Sequence, residues 1–167
     1  MSDHRFPCEQ HRYLQSVGKI LPRILGKIFL GIGFGVWINP GQANGVDMEL
    51  FDREGTLVLV AEILNWSPYS MLSDERKQCI IHNLTSYNCA RLLVYTAMRN
   101  NALLLDLPEY GISVLRIGYQ VLTKKSYDFY LARNQVVERK INGRSVKREI
   151  RSKVLQYLES VELTRQM

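Results

Sequence analysis

The sequence has few cysteines and no long uncharged apolar run. Its three cysteines are an odd number without metal-ligand spacing, which argues against a disulfide framework and a zinc site. The most apolar segment, Ile20–Ile38, contains Pro22, Arg23, Lys27 and four glycines, so its uncharged part is too short to cross a bilayer. No signal-like segment precedes it, and we therefore expect a cytoplasmic protein.

Repeats, heptads and low-complexity segments are also missing. The closely spaced Gly31, Gly33 and Gly35 lack the Gly-x-Gly-x-x-Gly pattern of a dinucleotide loop and are more typical of a helix end. At 167 residues and 46% hydrophobic, the chain fits one compact domain, 1–167.

Acidic residues are scarce near the C-terminus. The chain carries a net charge of +6, and the segment Thr123–Lys153 contains ten Lys or Arg against three Asp or Glu, so the rest is close to neutral. Such a basic region predicts binding to a polyanion, with nucleic acid as the leading candidate, although a solvated helix face would look the same. The residues assigned to nucleic-acid binding are Lys124, Lys125, Arg139, Lys140, Arg144, Lys147, Arg148 and Arg151.

A β-hairpin is predicted in the middle of the chain. The runs Val46–Phe51 and Leu57–Leu64 flank a short polar segment that contains Gly55. The second run is apolar on both faces until Glu62, so it should lie in the centre of a sheet.

Three carboxylates should share one face of this hairpin. Pairing of Asp52 with Leu57 would place Asp47 opposite Glu62, and pairing one residue earlier would place them one diagonal step apart. Because strand side chains alternate, Glu49 joins the same face. Clustered carboxylates predict a site for a hard divalent cation such as Mg²⁺. The alternative is that Glu62 forms a buried ion pair with a cation such as Lys77 or Arg91.

The sequence Gly45-Val46-Asp47, followed by Glu62 at the end of an apolar strand, resembles the core of the PD-(D/E)XK nuclease superfamily. Within that superfamily it is similar to archaeal Holliday junction resolvases and restriction-type endonucleases. The resemblance implies that Asp47 and Glu62 bind Mg²⁺ or Mn²⁺. Glu49, which shares their face by strand alternation, and the backbone carbonyl of Ile63 are further candidate ligands.

The chain departs from this family at its catalytic lysine. The expected lysine position, two residues after Glu62, holds Leu64, and the following Asn65 should point to the opposite face. Lys77, on the next predicted helix, is the best substitute, although it could be an ordinary solvated lysine. Gln78 and His82 on the same helix could contact the scissile phosphate.

Periodicity predicts helix Glu9–Phe29, shortened or kinked by Pro22, then three strands, a helix capped by Ser73, and strand Arg91–Met98. A short helix over Ala102–Tyr110 and a strand over Ile112–Ile117 should follow. The predicted fold class is therefore α/β, with helices and strands in the order α-β-β-β-α-β. This is the order that the resemblance implies for a restriction endonuclease-like core, a central mixed sheet flanked by helices, here over about 9–119. A basic helical extension is predicted over about 120–167.

These features favour a metal-dependent DNA endonuclease that hydrolyses phosphodiester bonds. A homodimer would be the simplest way to cut two strands. The alternative is a catalytically impaired nuclease-fold protein that binds nucleic acid or a protein partner.

Overall fold

The computed structural model describes residues 8–41, 45–121, 127–132, 135–140 and 143–163, with side chains described within 18–41, 45–121 and 146–163. In chain order the helices and strands are α1 (Cys8–Ile32), β1 (Gly35–Ile38), β2 (Met48–Phe51), β3 (Leu57–Leu64), α2 (Asp74–Thr85), β4 (Ala90–Tyr95), β5 (Ile112–Arg116), β6 (Gln120–Val121), β7 (Tyr127–Ala132), β8 (Gln135–Lys140) and α3 (Gly143–Ser160).

The main sheet is mixed and five-stranded, in the order β1-β2-β3-β4-β5. Strands β1, β2 and β3 pair antiparallel, whereas β3, β4 and β5 pair parallel. Strand β3 therefore lies in the centre, as its run of apolar residues predicts. The predicted α/β class, with a mixed sheet flanked by helices, is confirmed.

Each face of this sheet is covered by helices. On one face, Leu59, Ala61 and Ile63 of β3 pack in a core that α1 and α3 complete. On the other face, Val60 and Leu64 pack with residues of α2. Because side chains alternate along a strand, Glu62 belongs to the row that faces α2.

Helix α1 runs without interruption through Pro22. Of the two effects predicted for Pro22, a kink or a shortening, the shortening does not occur. An internal proline costs about 3 kcal/mol, but the buried Leu21, Leu25 and Phe29 each contribute roughly 1.5–3 kcal/mol by leaving water. The helix ends at Gly33, whose positive φ of 126° suits glycine.

Among the described residues, no helix combines the length and apolarity that a membrane crossing needs.

The C-terminal region is not the helical extension that the sequence predicts. Strands β6, β7 and β8 form a second, antiparallel three-stranded sheet, and α3 is the α-helix among the described residues of this region. Aromatic and β-branched residues in this region favour strands, whereas the count of basic residues, which suggested an extension, does not report backbone conformation. The short helix predicted over Ala102–Tyr110 is instead two 3-10 helices, Asn101–Leu104 and Leu107–Tyr110.

Candidate functional site

Asp47 is held by backbone hydrogen bonds just before β2. Its amide donates to the carbonyl of Ala61 at 3.0 Å, and its carbonyl accepts from the amide of Asn39 at 2.9 Å. Its side chain is fixed as well, because the amide of Ile63 donates to Oδ2 at 2.7 Å. Hydrogen bonds to a carboxylate are among the stronger ones in proteins. The Asp47 carboxylate is therefore anchored to the central strand.

Hairpin geometry brings Glu62 close to this carboxylate. Met48 pairs with Ala61 and Glu49 with Val60, a register that places Asp47 opposite Glu62. A bulge beside Phe51, which pairs with Leu57, adjusts the register next to the turn. The side chain of Asp52 closes the turn by accepting from the amide of Thr56 at 2.9 Å.

Glu62 is 2% exposed, and no described residue donates a hydrogen bond to its Oε1. A buried carboxylate oxygen without a partner is costly. Asp47 and Glu62 both line an open cavity of about 720 Å³. The site therefore presents two adjacent carboxylates, one of them incompletely satisfied, to a space that can admit a ligand.

Helix α2 supplies the opposite wall of this cavity. Ser73 caps the helix by accepting from the amide of Arg76 at 3.1 Å. Three- and four-residue spacing along the helix then directs a polar row toward the carboxylates. The α2 residues that line the cavity are Arg76, Gln78, Cys79, His82 and Asn83.

Both carboxyl groups hold their protons more tightly than usual. Burial, followed by repulsion from Asp47, raises the pKa of Glu62 to about 8, and Arg76 and Asn83 offset only part of that rise. Burial also raises the pKa of Asp47, although the amide of Ile63 and the charge of Arg76 act in the opposite direction. The empty pair is therefore electrostatically unfavourable when both groups are ionised.

Neither of the cations proposed as an ion-pair partner reaches Glu62. Lys77 Nζ lies 2.8 Å from Asp106 Oδ1, and Lys77 does not line the cavity. Arg91 donates to the carbonyl oxygens of Tyr87 and Tyr110 instead. Among the described residues that line this cavity, Arg76 is the cation.

Other residues implied as metal ligands have different surroundings. Glu49 accepts a hydrogen bond from the hydroxyl of Tyr87 at 3.1 Å and does not line the cavity. Ile63 contributes its amide to Asp47, and its side chain is buried on the opposite face of the sheet. The structure thus brings together Asp47 and Glu62, but it places Glu49 farther along the hairpin.

Leu64, at the expected lysine position, is 2% exposed and packs in the core beneath α2. Asn65 points the other way, as alternation predicts. Its side chain donates to the carbonyl of Val121 at 2.7 Å and accepts from the amide of Val121 at 3.0 Å. These two positions serve the core and the contact between the sheets.

The basic residues near the C-terminus do not line this cavity where their side chains are described. Lys147, Arg148 and Arg151 are exposed on α3, which covers the sheet face opposite α2. Lys124 and Lys125 lie outside the described residues. Arg139, Lys140 and Arg144 lie in β8 or at the start of α3, and their side chains are outside the described part.

The apolar periodicity of α2 is a sequence pattern that could have identified Arg76 as a residue of the site. Buried Ile80, Ile81 and Leu84 define the face of α2 that packs on the sheet. Each residue of an α-helix is rotated by about 100° from the previous one. Lys77 therefore falls on the packed side, whereas Arg76 falls at its edge, beside the cavity.

Comparison of the chain with protein-family models, with curated proteins and with solved structures finds no match.

Proposed function

We propose that this chain is a divalent-metal-dependent DNA endonuclease, in which Asp47 and Glu62 bind Mg²⁺ or Mn²⁺. The supporting observation is the unpartnered, buried Glu62 oxygen beside a second anchored carboxylate at the wall of an open cavity. A cation would supply the partner that Glu62 lacks and remove the repulsion between the two groups.

The donor set fits a hard cation with an incomplete protein shell. Among the described residues, no group of three or more His, Cys, Asp or Glu side chains could hold a metal ion. Mg²⁺ is commonly bound through one or two carboxylates, with water and substrate phosphate completing its shell. When bound, such an ion polarises a phosphodiester and lowers the pKa of a water ligand.

The surrounding side chains would act directly on the substrate. Arg76 would stabilise the negative charge that develops on the phosphate, as the cation nearest to the site in the absence of the motif lysine. Gln78 and His82, which line the same wall, would hydrogen-bond to phosphate oxygens and orient the strand. In this proposal Arg76 replaces Lys77, because Lys77 is engaged by Asp106.

The test is cleavage of branched, single-stranded and duplex DNA with Mg²⁺ or Mn²⁺. Asp47→Asn and Glu62→Gln, which keep side-chain size, should abolish cleavage, whereas Glu49→Gln, a matched change outside the cavity, should retain it. Arg76→Ala should lower the rate by about 10²- to 10³-fold. Lys77→Ala should have little effect on the rate. Cleavage that survives Glu62→Gln would refute the proposal.

A second candidate function is DNA binding without hydrolysis. Buried Leu64 at the lysine position and the Lys77–Asp106 pair favour it, because both remove a lysine from the site. Wild-type protein that binds DNA in a strongly salt-dependent manner, but does not cut it with either metal, would support this second function.

A further inference from the structure

A second cavity, of about 570 Å³, adjoins the one that contains the carboxylates. The two cavities share Asn39, Gly41 and Asp47. The second one extends away from α2, toward α1. Asp47 borders both, and the two cavities together are called the groove, with an α1 half and an α2 half.

Two cations from α1 line this second half. Lys19 and Arg23 are exposed and four residues apart, so they lie on one side of the helix. Asp47 is the only acidic residue among the described residues that line this half. The groove therefore has a cation pair at one end, the carboxylates in the middle and Arg76 at the other end.

Glycines widen the α1 half. A methyl group placed at Gly18 would meet no atom within 4 Å, and Gly41 adopts a positive φ of 95°. The absence of side chains at these points leaves room for a ligand beside Lys19 and Arg23. Lysine and arginine side chains in such a position are typical phosphate-binding groups.

We infer that Lys19 and Arg23 bind two neighbouring backbone phosphates of the DNA strand, one each, beside the phosphodiester held at Asp47 and Glu62. This inference rests on the proposed function for the identity of the ligand. The DNA strand runs from the α1 half of the groove, across the carboxylates, to Arg76. The first helix is then part of the substrate site.

The experiment measures binding of a short fluorescein-labelled DNA, single-stranded and duplex, by fluorescence anisotropy. All variants are made in the Asp47→Asn/Glu62→Gln protein. This background removes the charge of both carboxylates, so that DNA binding needs no metal to offset their repulsion of phosphate. Lys19→Ala/Arg23→Ala is added to this background. The matched control is Lys27→Ala/Arg53→Ala, which removes the same charge from two exposed positions that line neither cavity.

Loss of two phosphate contacts should reduce the slope of log K against log salt by about 1.4 for a single strand and about 1.8 for a duplex. We take the contribution of these phosphate contacts to affinity as zero at about 1 M salt. At about 50 mM salt the double variant should then bind a single strand about 70-fold and a duplex about 200-fold more weakly than the background protein. The control variant should keep its affinity within a few-fold. Equal losses in both variants would overturn the inference.

Gly18→Leu provides a second variant that should fold at least as well as the parent, because glycine weakens a helix. Its side chain should fill the α1 half of the groove and reduce DNA affinity, and unchanged affinity would argue against the inference.

The two proposals fail in different ways. If Lys19→Ala/Arg23→Ala weakens DNA binding but the wild-type protein does not cut DNA, the α1 site is supported and the proposed hydrolysis is refuted. Normal cutting with no effect of the α1 variants refutes only the α1 site.

Discussion

Replacing Glu62 by glutamine tests whether an unfavourable buried carboxylate exists at the site. Free Glu has a pKa of 4.5, whereas that of Glu62 is raised to about 8, mainly by burial. As the pH rises above 4.5, the unfolded chain releases this proton while the folded chain keeps it. The unfolded state then binds fewer protons, so the free energy of unfolding of the wild type falls until the pH reaches about 8.

The size of this effect follows from the pKa shift. Each unit corresponds to about 1.4 kcal/mol, so the wild type should lose about 4 kcal/mol between about pH 4.5 and about pH 8 through this group. Glutamine does not titrate. The stability of Glu62→Gln relative to wild type should therefore rise by about 4 kcal/mol over that range, or by about 8–16 °C in melting temperature.

The assay is urea unfolding followed by circular dichroism, in buffers without divalent metal. Glu54→Gln, an exposed change in the hairpin loop, is the control and should leave the pH dependence of the wild type unchanged. A difference between Glu62→Gln and wild type that stays constant within about 1 kcal/mol from about pH 5 to about pH 8.5 would refute the reasoning.

Three further predictions concern neighbouring features of the site. Mg²⁺ affinity, measured by calorimetry, should rise about tenfold per pH unit between about pH 6 and about pH 8, because binding must displace the Glu62 proton, and a pH-independent affinity would contradict this. Leu64→Lys should destabilise the fold by more than about 3 kcal/mol in urea unfolding, because a charge replaces a core side chain, whereas Leu64→Met should cost less than about 1.5 kcal/mol. Asn65→Ala should cost about 2–4 kcal/mol in the same assay, because it leaves both backbone groups of Val121 unpaired, and a loss below about 0.5 kcal/mol would show that this contact is dispensable.

Strand β3 shows how far the sequence alone could predict the fold. Its unbroken apolar run predicted a central strand, and the structure places it third of five. The capped start of α2 at Ser73 was also readable, because a serine followed by two acids satisfies free helix amides. The C-terminal sheet was not predicted, because the excess of basic residues between Thr123 and Lys153 does not specify the conformation of the backbone.

The candidate site could be predicted only in part. The adjacency of Asp47 and Glu62 follows from hairpin register, which depends on a short loop and is therefore local. Glu49 lies on the same face, two residues after Asp47. At that position its carboxylate accepts a hydrogen bond from the hydroxyl of Tyr87 instead of lining the cavity. Sequence spacing could not show the contact between Glu49 and Tyr87. It shows on which face of the strand a side chain lies, but not which residue of another segment packs against it.

The sequence by itself determined the class of the fold, the central strand and the pair of carboxylates, because strand alternation and turn residues act over a few neighbouring positions. Only the tertiary structure decided which cations meet that pair. Helical periodicity separates Arg76 from Lys77, but the packing of α2 decides that Arg76 borders the cavity and that Lys77 meets Asp106. The packing of α1 places Lys19 and Arg23 beside the second half of the groove. These outcomes depend on how distant segments pack against one another, which no local pattern specifies.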